Sequence, residues 1–206
     1  MPRNSPLSPQ ALAAELVAAE NAGALDLVAV FGRVAPLEVD LGCGDGTVLT
    51  ALAAQHPERD FLGIEQLRGR TATGCRKIAR LHLTNARMMR ADISRAPADL
   101  LPRGAVTRFH LLFPDPWPKR RHHIRRVVTP EWLRAIAAAL VPAGTIRMVT
   151  DDATYLGQMQ HALAAVPELR ATPDSMGEEE MPQSTFEQHF RSLGVPIHRL
   201  LAVKAG

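Results

Sequence analysis

The chain has 206 residues, of which 46% are apolar, 22% are charged and 4% are aromatic, and it contains two cysteines. A chain of this length buries about 70% of its unfolded surface, and this composition excludes collagen, a coiled coil, global disorder and a disulfide-stapled scaffold. No apolar run reaches the ~20 residues that cross a bilayer and no signal-peptide core is evident, so we expect one cytoplasmic domain over residues 1–206 without a membrane partner.

The charge is distributed unevenly along the chain. Residues 66–130 contain 15 Lys or Arg and three Asp, a net charge of +12, whereas the rest of the chain has a net charge of −9. A split of this size indicates a polyanionic partner, although a solvated helix face is the simpler alternative. Because few aromatic side chains are available to stack on bases, a structured nucleic acid contacted through its phosphates fits better than a single strand.

Apolar runs and helical patterns alternate along the chain. After a helical extension within residues 1–30, which includes a helix at 10–20, strands are predicted at residues 37–41, 61–64, 87–90, 106–113, 145–149 and 195–203. Helices are predicted at residues 46–56, 67–82, 130–140 and 153–166, and a mobile loop at 167–184. Strands that alternate with crossover helices form a mostly parallel, doubly wound α/β sheet, whose ligands bind beyond the carboxyl ends of the strands.

A glycine-rich turn containing Gly42, Gly44 and Gly46 follows the first of these strands. Glycines allow the backbone to approach a ligand closely, and the helix that follows offers free N–H groups to an anion. The G-x-G-x-x-G spacing of the dinucleotide fingerprint is not met, since the third glycine comes one position early. This spacing makes an NAD site less favoured but does not exclude one.

Three carboxylates lie near the ends of successive predicted strands. Glu65 can accept hydrogen bonds from both hydroxyls of a ribose, and Asp92 can accept one from an adenine amino group. Asp40 precedes the glycines, where an acid would repel a pyrophosphate but would suit an ammonium ion. A ligand with an amine, a carboxylate, a ribose and an adenine satisfies all these features, and S-adenosylmethionine is such a ligand. The alternative is that these are ordinary acids at strand ends.

The loop after the strand predicted at residues 106–113 contains the candidate catalytic residue, Asp115. Three prolines in five residues surround Asp115, so the loop is rigid and can hold a reacting group in place. Asp115 is the only acid in this basic stretch, and an ion pair with a neighbouring arginine is the alternative to a catalytic role. The adjacent His122 and His123 lack the spacing of metal ligands, so no metal is expected.

The motif Phe-Pro-Asp-Pro-Trp at residues 113–117, with the basic residues that follow it, resembles the signature of bacterial tRNA (guanine-N7-)-methyltransferases. The resemblance runs from about residue 31 to the C-terminus and includes the turn at 40–44 and the strand at 61–65. It implies a Rossmann-like, S-adenosylmethionine-dependent methyltransferase fold. The implied reaction is methyl transfer to N7 of a guanosine in the variable loop of tRNA.

The same resemblance implies the residues of the site. Cofactor contacts would come from Asp40, Glu65, Asp92 and Asp115, together with the glycine-rich turn. Substrate contacts would come from Lys119, Asp151, Ser184, Thr185, Phe186 and Glu187. The family usually has Glu in place of Asp40 and Thr-Lys in place of Ser184-Thr185.

Guanine N7 carries an in-plane lone pair and no proton, so its methylation needs no general base. We expect Asp115 to orient the guanine by accepting from N1–H and N2–H, or to offset the positive charge that forms on the ring. The basic residues of this segment would contact phosphates of the RNA rather than its base edges; they are Lys119, Arg121, Arg125 and Arg126. Glu187 would contact substrate or tie its segment down, and a capping box that begins at Ser184 is the structural alternative.

Other functions remain open from the sequence. An exocyclic-amine nucleic-acid methyltransferase is the nearest, because related Asp-Pro-Pro-aromatic loops lie at this strand end in those enzymes. An NAD-dependent dehydrogenase and a non-catalytic RNA-binding protein on a Rossmann scaffold are the others. The oligomeric state is open between a monomer and a homodimer.

Overall fold

The computed structural model describes residues 6–16, 23–173 and 182–205, in which eight strands form one sheet. The strands are β1 (Glu15–Leu16), β2 (Leu37–Leu41), β3 (Asp60–Ile64), β4 (Ala86–Met89), β5 (Val106–Leu112), β6 (Leu140–Thr150), β7 (Leu169–Thr172) and β8 (His198–Lys204). Their order across the sheet is β1-β4-β3-β2-β5-β6-β8-β7. In this described part of the chain β8 pairs antiparallel with β6 and with β7, and every other strand pair is parallel, so the mostly parallel α/β sheet is confirmed.

Helices cover both faces of the sheet. They are α1 (Pro9–Ala13), α2 (Leu27–Phe31), α3 (Thr47–Gln55), α4 (Arg68–Arg80), α5 (Ala96–Asp99), α6 (Pro130–Ala139), α7 (Ala153–Ala164) and α8 (Thr185–Ser192), and a 3₁₀ helix covers Arg120–Arg125. Apolar residues of α1, α3 and α4 pack on β3 and β4, and those of α6 and α7 pack on the other face, against β2, β5 and β6. Burial on both faces explains the apolar run at residues 61–64 of β3.

The order of the strands reverses beside β2. The chain runs outward from β2 to β3 and β4, and it then returns to β5 on the other side of β2. In open parallel sheets this reversal leaves a crevice outside the carboxyl ends of the strands, where ligands bind. The fold therefore places the segments that follow β2, β3, β4, β5 and β6 around one crevice.

Two carboxylates of β2 are buried on the face that packs on α3 and α4. Glu38 and Asp40 are 4% and 3% exposed. Glu38 is paired, because its two oxygens contact Arg59 at 2.7 Å and His110 at 2.8 Å. Burial by itself would raise the pKa of Glu38, but the hydrogen bond and charge of His110, with the contact to Arg59, lower it to about 2. Asp40 has a different environment, described with the site.

The structure differs from the sequence prediction at the two edges of the sheet. The helix predicted at residues 10–20 ends at Ala13, and Glu15–Leu16 instead pairs with Met88 and Met89 of β4. Strand β7 lies inside the segment 167–184 that was predicted as a loop, and it pairs with β8. Residues 174–181 of that predicted loop lie outside the described residues. The short helices α2 and α5 were not predicted.

Candidate active site

The glycine-rich turn after β2 has a backbone that favours glycine. Gly42, Gly44 and Gly46 have φ angles of 77°, 58° and 73°, all in the left-handed region. The amides of Gly42 and Cys43 donate to the Ile64 carbonyl at 2.8 and 3.2 Å. The turn is thus joined to the end of β3, and its backbone lines the crevice.

The Glu65 carboxylate is fixed by backbone amides from both sides of the crevice. One oxygen accepts from the Gly44 amide at 3.1 Å and the other accepts from the Leu67 amide at 2.8 Å. The Arg70 guanidinium lies 3.8 Å from the same carboxylate, which is buried at 6% exposure. Each carboxylate oxygen has a further lone pair. Glu65 can therefore accept two more hydrogen bonds without moving.

Asp40 is a buried carboxylate whose environment differs from that of Glu65. No hydrogen bond or ion pair to its side chain occurs within residues 6–16, 23–173 and 182–205. Burial, and then the negative charge of Glu65, raise the pKa of Asp40 to about 7. A carboxylate buried in this way is costly unless a positive charge or a donor reaches it. Because Asp40 lines a cavity, a cationic group of a ligand can supply that partner.

Asp92 follows β4 and lines the crevice beside Ile93. One of its oxygens accepts from the Ser94 amide at 2.8 Å, which fixes the turn. The Ile93 carbonyl accepts from the Trp132 indole at 2.8 Å, so this segment is also held by α6. The Asp92 carboxylate is exposed to the crevice and retains acceptor capacity.

Two cavities adjoin at the crevice. The first, of about 440 Å³, is lined by Glu65 and Asp92, and the second, of about 450 Å³, is lined by Asp40 and Asp151. Asp115 lines both. The side chains predicted to bind a cofactor are therefore brought together, and Asp115 lies where the two cavities meet. Volumes of this size hold small-molecule ligands.

The loop after β5 is strained on both sides of Asp115. Phe113 and Trp117 have φ angles of 52° and 44°, which side chains other than glycine rarely adopt. Such residues cost about 1–3 kcal/mol each and cluster at functional sites. The Asp115 side chain is exposed and makes no hydrogen bond or ion pair with any residue that the structure describes. Its carboxylate is thus available to a ligand.

Helix α8 closes the far side of the second cavity. Ser184 caps this helix by accepting from the Glu187 amide at 3.0 Å, and it lines the cavity together with Phe186 and Phe190. The Phe190 ring lies 5.5 Å from the Phe113 ring, so α8 contacts the loop after β5 directly. Thr185 is the first residue of α8, and its side chain is outside the described part of the structure.

Glu187 faces the protein rather than the cavity. One of its oxygens accepts from Arg191 and from Arg199, each at 3.0 Å. The contact with Arg199 ties α8 to β8. Of the two roles predicted for Glu187, tying the segment down agrees with this geometry, and the predicted cap at Ser184 is present.

The predicted phosphate-binding residues divide into two groups. Lys119, Arg121 and Arg125 are exposed, and the Arg125 guanidinium lies 4.8 Å from the centre of the Trp117 ring. Arg126 is 3% exposed and donates to the Pro116 carbonyl at 2.7 Å and to two side chains of α7. The expected phosphate contact of Arg126 does not fit this burial, because its guanidinium is used within the protein.

Sequence reasoning did not single out Arg70, which lines both cavities. The signal that could have identified it is its position in the first turn of α4, five residues beyond Glu65. Among the described residues, no group of three or more His, Cys, Asp or Glu side chains is placed to hold a metal ion. None of the helices found there is long and apolar enough to cross a membrane.

Comparison with known proteins places the chain among methyltransferases. A family with the description "Putative methyltransferase" matches residues 34–200. The chain is 43% identical over 167 residues to the tRNA (guanine-N(7)-)-methyltransferase of Alkalilimnicola ehrlichii, which covers 80% of this chain and 70% of that protein. It is 41% identical over 182 residues to the protein of the same name from Leifsonia xyli, with coverage of 86% and 80%.

Solved structures support the fold. The 16S rRNA methyltransferase KamB has a TM-score of 0.65 at 17% sequence identity, with 88% of this chain and 93% of that chain covered. TrmN from Thermus thermophilus has a TM-score of 0.61 at 17% identity, with 87% and 47% covered. At these identities the likeness shows the fold alone, which is the Rossmann-like fold of S-adenosylmethionine-dependent methyltransferases.

Proposed function

The chain belongs to the tRNA (guanine-N7-)-methyltransferase family, and on this basis we propose that it methylates N7 of a guanosine in the variable loop of tRNA with S-adenosylmethionine as the methyl donor. The observation that carries the proposal is the position of Asp115, which lies where the two cavities meet. One cavity has the acceptors that an adenosine needs, and the other has the acidic and aromatic lining that suits a guanine.

The residues of the crevice fit S-adenosylmethionine. Glu65 is oriented to accept from ribose hydroxyls, and Asp92 can accept from the adenine amino group. Asp40 is a buried carboxylate without a protein partner among the described residues, as an ammonium-binding group would be. The backbone of the glycine-rich turn can approach the ligand carboxylate. When bound, the cofactor supplies an electrophilic methyl group on a sulfonium ion.

The second cavity fits a guanine that is flipped out of the base stack of the RNA. Enzymes that act on a base take it out of the helix and hold it against aromatic side chains, through hydrogen bonds to its Watson–Crick edge. Phe113, Phe186 and Phe190 supply aromatic surface, and the free Asp115 carboxylate can accept from both N1–H and N2–H. Because N7 has no proton to remove, the residues here orient the base and exclude water.

Basic residues beside the crevice fit the tRNA backbone. Lys119, Arg121 and Arg125 are exposed on or next to the 3₁₀ helix, and Arg125 also lines the first cavity. Such side chains position a nucleic acid through its phosphates and make the affinity depend on salt. Asp151 lines the second cavity at the end of β6, where it can help to hold the base.

Nucleoside analysis tests the proposal directly. Unmodified tRNA is incubated with the protein and methyl-labelled S-adenosylmethionine, digested to nucleosides and analysed by mass spectrometry. The expected product is labelled 7-methylguanosine. A methyl group on an exocyclic amine would favour the alternative enzyme, and normal tRNA affinity without methyl incorporation would favour a non-catalytic RNA-binding protein.

We further propose that the activity belongs to a single domain over residues 1–206, with residues 1–30 as an N-terminal extension, and that the protein acts in the cytoplasm, where tRNA is found. Limited proteolysis of the ligand-free protein tests the single domain. One protected core that contains β2 and β8 is expected, and two separable folded fragments would contradict it.

A further inference from the structure

Arg126 connects the loop that carries Asp115 to α7. Its Nε atom donates to the Pro116 carbonyl at 2.7 Å. The two terminal nitrogens of the guanidinium donate to Gln158 Oε1 and to Thr154 Oγ1, each at 3.0 Å. The guanidinium carbon also lies 4.7 Å from the centre of the Tyr155 ring. One planar group therefore spans two elements that are separate in sequence.

These contacts adjoin two of the aspartates that line the second cavity, Asp115 and Asp151. Pro116, whose carbonyl accepts from Arg126, directly follows Asp115. Asp152 lies 3.9 Å from a terminal nitrogen of Arg126 and directly follows Asp151. Asp115 and Asp151 both line the second cavity. Arg126 thus fixes the backbone next to Asp115 relative to α7, whose start adjoins Asp151.

The two elements differ in how firmly they are held without Arg126. Asp152 caps α7 by accepting from the Tyr155 amide at 2.8 Å and from the Thr154 hydroxyl at 2.6 Å, so this end is rigid. The loop has left-handed backbone angles at Phe113 and Trp117. Strained residues persist only when the surrounding structure holds them. The Phe113 amide is held by the Val149 carbonyl at 2.8 Å, and Arg126 restrains the other side of Asp115.

We propose that Arg126 is a positioning residue, which sets the distance between the Asp115 and Asp151 carboxylates and thereby the orientation of the guanine. The inference rests on the proposed function. A buried guanidinium whose only carboxylate within 4 Å in the described residues is Asp152, at 3.9 Å, is costly to desolvate. Its hydrogen bonds to neutral groups orient the loop.

The first test is Arg126→Lys. An ammonium group keeps the charge but cannot serve three partners in a plane, so the loop should relax. Single-turnover methyl transfer at saturating tRNA and cofactor should fall about 100-fold, as expected for a small misplacement of reacting groups. The affinity for S-adenosylhomocysteine, measured by calorimetry, should fall much less than the rate, because Glu65 and Asp92 lie outside the loop and keep their positions.

Met159→Ala is the matched control for lost stability. Met159 is fully buried in α7 and belongs to the main apolar core, which includes no residue of 113–118. Its replacement should lower the melting temperature while the single-turnover rate stays near that of the unchanged protein. If Arg126→Lys lowers the rate only as much as a control of equal melting temperature, Arg126 is merely structural and the proposal is overturned. Thr154→Val, which removes one acceptor, gives a milder second variant with an expected loss of about 3- to 10-fold.

A double-variant cycle separates positioning from a general effect. If Arg126 acts through Asp115, the variant with both Arg126→Lys and Asp115→Asn should be within about threefold of Asp115→Asn alone, because the two act as a unit. Losses that multiply would overturn the proposal. Failure of the proposed function is distinct, since the unchanged protein would then form no 7-methylguanosine.

Discussion

Glu65 and Asp115 line the same cavity, but the protein holds them in opposite ways. The Glu65 carboxylate is buried and accepts from the backbone amides of Gly44 and Leu67. The Asp115 carboxylate is exposed and has no hydrogen bond within the described residues, and its loop is held at Pro116 by the buried Arg126. One side chain is fixed by direct contacts, and the other is fixed through its backbone.

The difference follows from what each group would bind. A carboxylate that receives a small cofactor can be oriented by backbone amides, because two of its lone pairs are enough for the ribose. A carboxylate that receives a base from a large RNA must stay open, so that both oxygens can accept from the guanine. The protein then positions Asp115 through its loop, which the buried Arg126 anchors at the Pro116 carbonyl. Separate substitutions test the role of each of these two carboxylates.

The largest effect is expected from Asp115→Asn. The amide keeps the shape of the carboxylate but places a donor against a donor of guanine, so single-turnover methyl transfer should fall about 10² to 10⁴-fold. The melting temperature should hardly change, because the carboxylate has no partner in the described structure. Asp99→Asn makes the same change at an exposed residue of α5, whose ion pair is with the exposed Arg95, and is the control. A near-normal rate, or a melting temperature that falls with activity, would contradict the expectation.

Glu65→Ala should weaken cofactor binding and also lower the stability of the fold, whereas Asp115→Asn should lower only the rate. Unpaired ribose hydroxyls should weaken S-adenosylhomocysteine binding by about 1–3 kcal/mol, or roughly 5- to 150-fold, as measured by calorimetry. The melting temperature should fall as well, since the amides of Gly44 and Leu67 lose their acceptor. The exposed Glu58→Ala serves as the control. Unchanged affinity would remove Glu65 from the cofactor site.

Asp40→Asn should change the pH dependence of stability. Burial, followed by the charge of Glu65, raises the pKa of Asp40 to about 7. A group whose pKa is raised on folding favours the native state below its unfolded pKa, and this contribution is lost as the pH rises to the folded value. Through this group, the ligand-free protein should lose stability between about pH 4 and pH 7.

Thermal melts at several pH values measure this effect. Asparagine carries no charge, so Asp40→Asn should melt higher than the unchanged protein at pH 8, by about 2–4 °C for each kcal/mol recovered. The difference should shrink as the pH falls toward 4. The same variant should bind the cofactor more weakly. A difference in melting temperature that is constant with pH would show that Asp40 does not titrate in this range.

The smallest effect is expected from Arg125→Gln. If the exposed Arg125 contacts one phosphate, the plot of log affinity for tRNA against log salt should become shallower by roughly 0.7 to 0.9. Arg134→Gln is the matched control, because Arg134 is exposed on α6 and lines neither cavity. An equal slope for Arg125→Gln and Arg134→Gln would remove Arg125 from the tRNA surface.

The meeting of Asp40, Glu65 and Asp92 at one crevice could be predicted from sequence because its signals are local. A strand, a glycine-rich turn and a helix follow one another within residues 37–55, Glu65 directly follows β3, and Asp92 comes three residues after the end of β4. In a parallel sheet these ends must lie at the same edge. Family, fold and reaction could be expected from the motif at residues 113–117.

The loop half could not be predicted in full, because distant contacts decide it. Arg125 and Arg126 are identical and adjacent in sequence, yet one is exposed and the other is 3% exposed. Their difference depends on Thr154 and Gln158, which belong to a helix about thirty residues further on. The strand β7 escaped prediction for a similar reason, since it depends on pairing with β8 rather than on an apolar run.

The outer strand β7 has a consequence for contacts between molecules. A long flat edge strand offers its free amides and carbonyls to another molecule, which leads to aggregation. Here β7 has four residues, of which Arg170 and Ala171 are exposed. A strand from a second molecule would find few backbone groups to pair with at this border, and it would meet the charge of Arg170 there.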